Sequence, residues 1–177
     1  MKIHMFTATV VLVAASVVAV GAQVRKAEME GVTNYSRVDA TVGCGGATQP
    51  AAMAALKKEG FTSVVNLRLA TEAGAEIEAS RSAAQAAGLK YIHLPFDAAH
   101  PDPSLVDRFL AAVSDTSNQP VFIHCASANR VGAVWMIKRA LKDGWDVDKA
   151  RAEAEAIGLS NPRLKTFATE YIAAHKK

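Results

Sequence analysis

The sequence predicts an α/β domain whose largely parallel central sheet is covered by helices on both faces. Two patterns carry this expectation. Short apolar runs alternate with longer segments of helical periodicity along most of the chain. Runs such as Val121-Phe122-Ile123 are continuously apolar, as strands buried on both faces must be. Composition agrees: 50% of the 177 residues are hydrophobic but only 6% are aromatic, so the core must be built mainly from Ala, Val, Leu and Ile. With 21% charged residues, 11 glycines and 6 prolines, disordered and collagen-like chains are excluded.

Residues 1–22 read as a secretory signal peptide. Lys2 gives a positive start, Phe6 to Val20 is almost wholly apolar, and Val20-Gly21-Ala22 offers small residues for cleavage. The apolar run is shorter than the roughly 20 residues of a spanning helix. A periplasmic or secreted location follows as an expectation, with no stable membrane insertion after cleavage. Residues 23–36 are polar and patternless and read as a flexible leader, leaving 37–177 as one α/β domain.

Within that domain, Val38 to Val42 is expected as the first strand, ending at the turn Gly43-Cys44-Gly45-Gly46. Pro50 suits the first turn of a helix reaching Glu59, with Gly60 as its stop. Ser63 to Leu67 reads as a buried strand, Ala75 to Ala87 as a helix closed by Gly88, and Lys90 to Phe96 as the next strand. Two prolines break the loop Asp97 to Pro103. Asp102 and Pro103 then suit the N-cap and first turn of a helix ending near Ser114. Pro120 to Ile123 is a strand, followed by helices over about Val131–Lys142, Asp146–Ile157 and Pro162–His175.

One segment carries chemistry: His124-Cys125-Ala126-Ser127-Ala128-Asn129-Arg130-Val131. A buried strand delivers a Cys at its C-terminal end, where open α/β sheets bind ligands. Small residues let the loop curl so that its N–H groups converge on an anion, and the following helix adds its positive N-terminal end. Arg130 can grip two oxygens of a tetrahedral oxyanion. The same field favours the thiolate of Cys125, the nucleophilic form.

This segment resembles the signature of the cysteine phosphatases. Ala47-Thr48-Gln49-Pro50, Leu56 to Phe61, Val64 to Arg68 and Tyr91 to Pro95 precede it in the order of one family. The chain looks like the phosphatase-like domain of beta-lactamase-hydrolase-like proteins, relatives of the dual-specificity and tyrosine phosphatases. The resemblance implies a three-layer protein-tyrosine-phosphatase-like fold and hydrolysis of phosphate monoesters through a phosphocysteine on Cys125. Arg130 and the loop, including Ala126, Ser127, Ala128, Asn129 and Val131, would bind the phosphoryl oxygens, with the Asn129 side chain donating to the anion, bracing the loop or facing solvent, and His124 would hydrogen-bond the loop and support the thiolate. Asp97, 28 residues before Cys125, is the candidate general acid, with Asp102 as runner-up if it is not simply an N-cap. No cofactor is implied.

Two departures keep alternatives open. Four residues separate Cys125 from Arg130 where the tyrosine and dual-specificity enzymes usually have five, and Val131 stands where they usually carry Ser or Thr. The tighter loop resembles that of rhodanese-type sulfurtransferases, with a Cys125 persulfide. Val131 fits an anion-binding module without turnover. Among other residues, His93, Trp135 and Met136 read as packing residues, and His100 as a candidate for the pocket entrance. Arg68 pairs with Glu72 at the surface or reaches the rim of the site. Cys44 is either unpaired or a disulfide partner of Cys125. No His, Asp and Glu set has metal-site spacing. The net charge of +3 is too weak and dispersed to argue for nucleic acid; the resemblance implies a phosphorylated protein or small molecule as the partner.

Overall fold

The computed structural model describes residues 24–176; the expected signal peptide lies outside them. Six strands form one sheet in the order β1-β2-β3-β6-β4-β5. They are β1 (Arg25–Lys26), β2 (Ser36–Arg37), β3 (Val42–Gly45), β4 (Ser63–Asn66), β5 (Lys90–His93) and β6 (Val121–His124). The four strands β3, β6, β4 and β5 run parallel, with Cys44 opposite Ile123 and Val65 opposite both Ile123 and Ile92. The antiparallel pairs β1–β2 and β2–β3 complete one edge. The helices are α1 (Met53–Lys58), α2 (Ile77–Ala86), α3 (Pro103–Ser114), α4 (Asn129–Leu141), α5 (Val147–Ile157) and α6 (Pro162–His175).

Two cores result. Phe122 faces α1 and α2 and packs with Phe61, Leu56, Val64 and Tyr35. Its neighbours Val121 and Ile123 face α3 to α6 with Phe109, Trp135 and Ile157. This two-sided burial makes the continuous apolar run of β6 necessary. Helix α4 is buried almost all round, so Trp135 and Met136 are core residues as expected.

Three expectations change. Residues 24–36 are not a loose leader: they carry β1 and enter β2, and Val32 and Tyr35 are buried. Their two-residue pairing leaves no periodic trace. Val38 to Thr41 is not a strand but the turn between β2 and β3, and of the expected strand only Val42 belongs to β3. The Val38 N–H donates to the Val42 carbonyl, and Asp39 accepts from both N–H and Oγ of Thr41. The strand instead runs through Gly43 and Gly45, where a Cβ would lie 2.4 Å from Phe61 and 2.7 Å from Phe122. Those glycines make room for aromatic rings rather than for a turn. The helix after the Cys loop begins at Asn129, two residues earlier than expected, because Ala128 adopts a left-handed conformation at φ 68°.

Candidate active site

Strand β6 ends at His124 and places Cys125 at the C-terminal edge of the parallel strands. The Cys125 N–H still donates to the Gly45 carbonyl, and the Ala126 carbonyl accepts from Ala47. The loop is thus stitched to the end of β3. Among the described residues, the N–H groups of Ala126, Ser127 and Ala128 donate to no protein acceptor. The first helical bond of α4 runs from Gly132 to Ala128, so Asn129, Arg130 and Val131 add first-turn N–H groups. Such a concentration of free donors at a helix N-terminus is an anion cradle.

Arg130 lies in the first turn of α4 and is buried. Glu72 takes its end-on fork: Nη1 donates to Oε1, and Nη2 donates to Oε2 at 2.8 Å. The second Nη1 hydrogen goes to the Phe96 carbonyl at 3.0 Å. Of five guanidinium hydrogens, Nε–H and one on Nη2 remain, and these form a parallel pair suited to two oxygens of an anion. Burial alone would lower the Arg130 pKa, but its hydrogen bond to the Glu72 carboxylate raises it instead.

Glu72 is the functional residue that sequence reasoning missed as a partner of Arg130. It is 58 residues from Arg130 in the chain, so no local spacing signals the pair. Burial opposes its ionisation, but Arg130 outweighs that, with help from the Leu69 N–H and Arg68, and holds its carboxyl at a pKa of about 2. Arg68 is a buried brace rather than a surface pair. Its Nε donates to Glu72 at 3.2 Å, and its Nη groups donate to the Gly74 and Ala73 carbonyls at 2.6 Å each.

A cavity of about 330 Å³ opens beside this arrangement, lined by Asp97, Arg130, Glu72 and Ser127 among others. The structure therefore brings Asp97 to the same cavity as Arg130. Asp97 accepts from the Ala99 N–H at 2.8 Å and from His100 at 3.0 Å. The His100 bond, then the Ala99 bond, hold its carboxyl below its usual range. Asp102 caps α3, accepting from Ser104 N–H and Oγ, and does not line the cavity.

The other candidates settle differently. Asn129 does not offer its side chain to an anion. Its Oδ1 accepts from the N–H groups of Ser160 and Asn161, each at 2.7 Å, and its Nδ2 donates to Ser127 Oγ. His124 makes no well-formed hydrogen bond to the loop, although the Cys125 and Gly46 backbones lie against its ring. Both ring nitrogens are buried without a partner, the ring stacks on Phe122, and desolvation lowers its pKa to about 3. It is a neutral packing residue at pH 7. Val131 is fully buried and presents only its N–H to the site. The His93 Nε2–H donates to the Arg68 carbonyl at 2.8 Å, as a packed residue.

Cys125 itself is fully buried and does not line the cavity. Cys44 and Cys125 are both free thiols. They are diagonal neighbours on adjacent parallel strands, so their Cα atoms are about 8 Å apart, beyond the reach of a disulfide without backbone movement. Burial pushes the Cys44 thiol well above its usual pKa. Among the described residues, no group of three His, Cys, Asp or Glu could hold a metal, and no helix is long and apolar enough to cross a membrane.

Residues 35–142 match the family described as beta-lactamase hydrolase-like protein, phosphatase-like domain. No curated protein matches the chain. Among solved structures, a DUF442 protein from Shewanella putrefaciens CN-32 superposes with TM-score 0.71 at 22% identity, over 84% of this chain and 97% of that one. TpbA of P. aeruginosa, solved with phosphotyrosine, gives 0.67 at 19% identity, covering 89% and 93%. The catalytic domain of the PP-IP phosphatase SIW14 from S. cerevisiae, solved with citrate, gives 0.68 at 17% identity, covering 81% and 88%. These likenesses establish the protein-tyrosine-phosphatase-like fold. With the family match spanning more than half of its length, the chain belongs to the phosphatase-like domain family of beta-lactamase hydrolase-like proteins.

Proposed function

We propose that the protein hydrolyses phosphate monoesters through a phosphocysteine on Cys125. The observation that carries this reading is the oriented Arg130 fork above a loop of unpartnered N–H groups, with a carboxylic acid in the same cavity. The Cys125 thiolate attacks phosphorus, the P–O ester bond breaks, and the leaving oxygen takes a proton from Asp97. Water then attacks phosphorus, gives its proton to the Asp97 carboxylate, and releases phosphate as the P–S bond breaks. Arg130 and the loop N–H groups stabilise the charge on the equatorial oxygens. Asp97 must be protonated for the first step. A phosphate dianion entering beside it favours that form, against the pull of His100.

A second reading is favoured by two observations, the full burial of Cys125 and the buried Val131 that lacks a hydroxyl. In it the cavity binds phosphate esters without turning them over. The persulfide alternative gives Asp97 no role. Release of phosphate by the reduced protein from aryl and alkyl phosphates, with Cys125→Ser as control, separates these readings. Turnover lost in Cys125→Ser supports the hydrolase. Binding without turnover supports the second reading, and sulfur transfer from thiosulfate to cyanide supports the third. Export by residues 1–22 is part of the proposal, and amino-terminal sequencing of periplasmic or secreted protein tests it.

A further inference from the structure

We infer that the site selects substrates with a single phosphoryl group on a carrier that is uncharged or cationic next to the ester, and discriminates against polyphosphorylated compounds. This rests on the phosphatase reading and names its substrate class. The cavity lining contains one cation, Arg130, and two carboxylates, Glu72 and Asp97. Arg130 is already paired with Glu72, and its two remaining hydrogens are committed to the transferring phosphoryl group. Arg68 cannot supply a second grip, because its donors go to Glu72, Ala73 and Gly74. The apolar lining is Leu69, Ala98 and Leu164, which suits uncharged carbon beside the ester oxygen. A second phosphoryl group on the carrier therefore meets no second cation in the cavity lining: beyond carboxylate and aliphatic surface it finds only the uncharged Ser127, Asn129 and Asn161. Arg163, next in sequence to the lining Leu164, is exposed and donates to the Ala99 carbonyl at 2.8 Å. It holds the loop that carries Asp97 rather than facing the cavity floor.

The test is binding to the full chain carrying Cys125→Ser, read by calorimetry at low and high salt. The probes are phenyl phosphate, phenyl phosphate with a para-aminomethyl group, and the 1,4-bisphosphate of the same ring. After correction for its two equivalent ends, the bisphosphate is expected to bind about fivefold or more weakly than phenyl phosphate at low ionic strength. The gap should narrow as salt rises, because repulsion from the carboxylates is screened. The aminomethyl compound should bind at least as tightly as phenyl phosphate. A bisphosphate that binds equally or more tightly would overturn the inference, and loss of that gain in Arg163→Ala would assign it to the rim. No binding of phenyl phosphate, together with no turnover by the unsubstituted chain, would instead fail the phosphatase reading itself.

Discussion

Glu72 offers the sharpest test of how the site is held. Glu72→Ala removes both carboxylate bonds to Arg130, the 3.2 Å bond from Arg68 and the 2.8 Å bond from the Leu69 N–H. Arg130 keeps only the Phe96 carbonyl, which fixes one hydrogen and leaves the plane of the guanidinium free to rotate. The carboxyl sits at about 2 instead of 4.5, a gap worth about 3.4 kcal/mol at 1.36 kcal/mol per pKa unit. Glu72 is partly exposed, and screening by solvent reduces this to about 1–2 kcal/mol of stability. Its loss from the fold is visible in urea unfolding. Displacement of a positioned donor by about 1 Å costs about 10²-fold, so kcat/KM for an aryl phosphate should fall by that order. Phosphate affinity should fall with it, because Arg130 holds oxygens in ground and transition states alike. Glu72→Gln, which keeps one acceptor for the fork, should lie between. Because the folded-state pKa is depressed, the contribution of Glu72 is complete above about pH 4.5 and is lost as pH falls toward 2. The stability difference between wild type and Glu72→Gln should shrink over that window. If kcat/KM and phosphate affinity stay within twofold while the unfolding midpoint drops, Glu72 supports the fold alone and the positioning argument is wrong.

Other expectations follow from the same geometry. Asp97→Asn should lower kcat by about 10²–10⁴-fold on an alkyl phosphate and change it little on a nitrophenyl phosphate, whose leaving group needs no proton. Equal losses on both would remove Asp97 as the acid. Asn129→Ala removes the acceptor of the exposed Ser160 and Asn161 N–H groups, which can turn to water, and should cost about 0.5–1.5 kcal/mol, measured by urea unfolding. Gly132→Ala puts a methyl 2.7 Å from the Leu159 Cβ and 2.8 Å from the Ala154 carbonyl, where α4 meets α5. Backbone cannot give way cheaply there, so about 1–3 kcal/mol of destabilisation is expected in thermal melts. Cys44 is buried, with its thiol pushed up in pKa. Alkylation of the native protein followed by peptide mapping should leave Cys44 unmodified until denaturant is added, and label on Cys44 in the folded state would contradict its burial.

Much of the fold was written in local signals. Pro103 behind Asp102, Pro162 behind Asn161 and Asp146 mark helix starts that the structure reproduces, because caps act within a few residues of chain. Gly60, Gly88 and Gly144 stop their helices with positive φ, again a local property. What was illegible depends on partners far away. Gly43 and Gly45 look like a turn until Phe61 and Phe122 are placed over them. The leader looks patternless because Val32 and Tyr35 find their core across the sheet. Around the cavity, Arg130 and Asp97, which the structure brings together, could be singled out from one motif and one spacing. The side-chain environment of His124 could not, and for Asn129 the choice between anion donor, loop brace and solvent stayed open, since both are decided by what surrounds the loop rather than by the loop.

That dependence explains why the segment before β3 belongs to the site. Lys26 donates to the Ile157 carbonyl at 2.8 Å and Asn34 donates to the same oxygen at 3.2 Å, fastening the C-terminal end of α5. The chain then turns at Gly158, where a Cβ would lie 2.8 Å from Asn34 and 3.0 Å from the Ala128 Cβ. Ser160 and Asn161 follow and hold Asn129 at the first turn of α4. On the other side, Thr33 bonds both Gly46 and Ala47, and Ala47 in turn bonds the Ala126 carbonyl. A short loop of small side chains cannot fix its own shape, because Ala126 and Ala128 have nothing to bond with. Its conformation is imposed by the amino-terminal strands from one side and the α5–α6 turn from the other. The geometry of the anion cradle is therefore a property of the whole domain, and the four-residue spacing between Cys125 and Arg130 cannot be judged by comparing loop lengths alone.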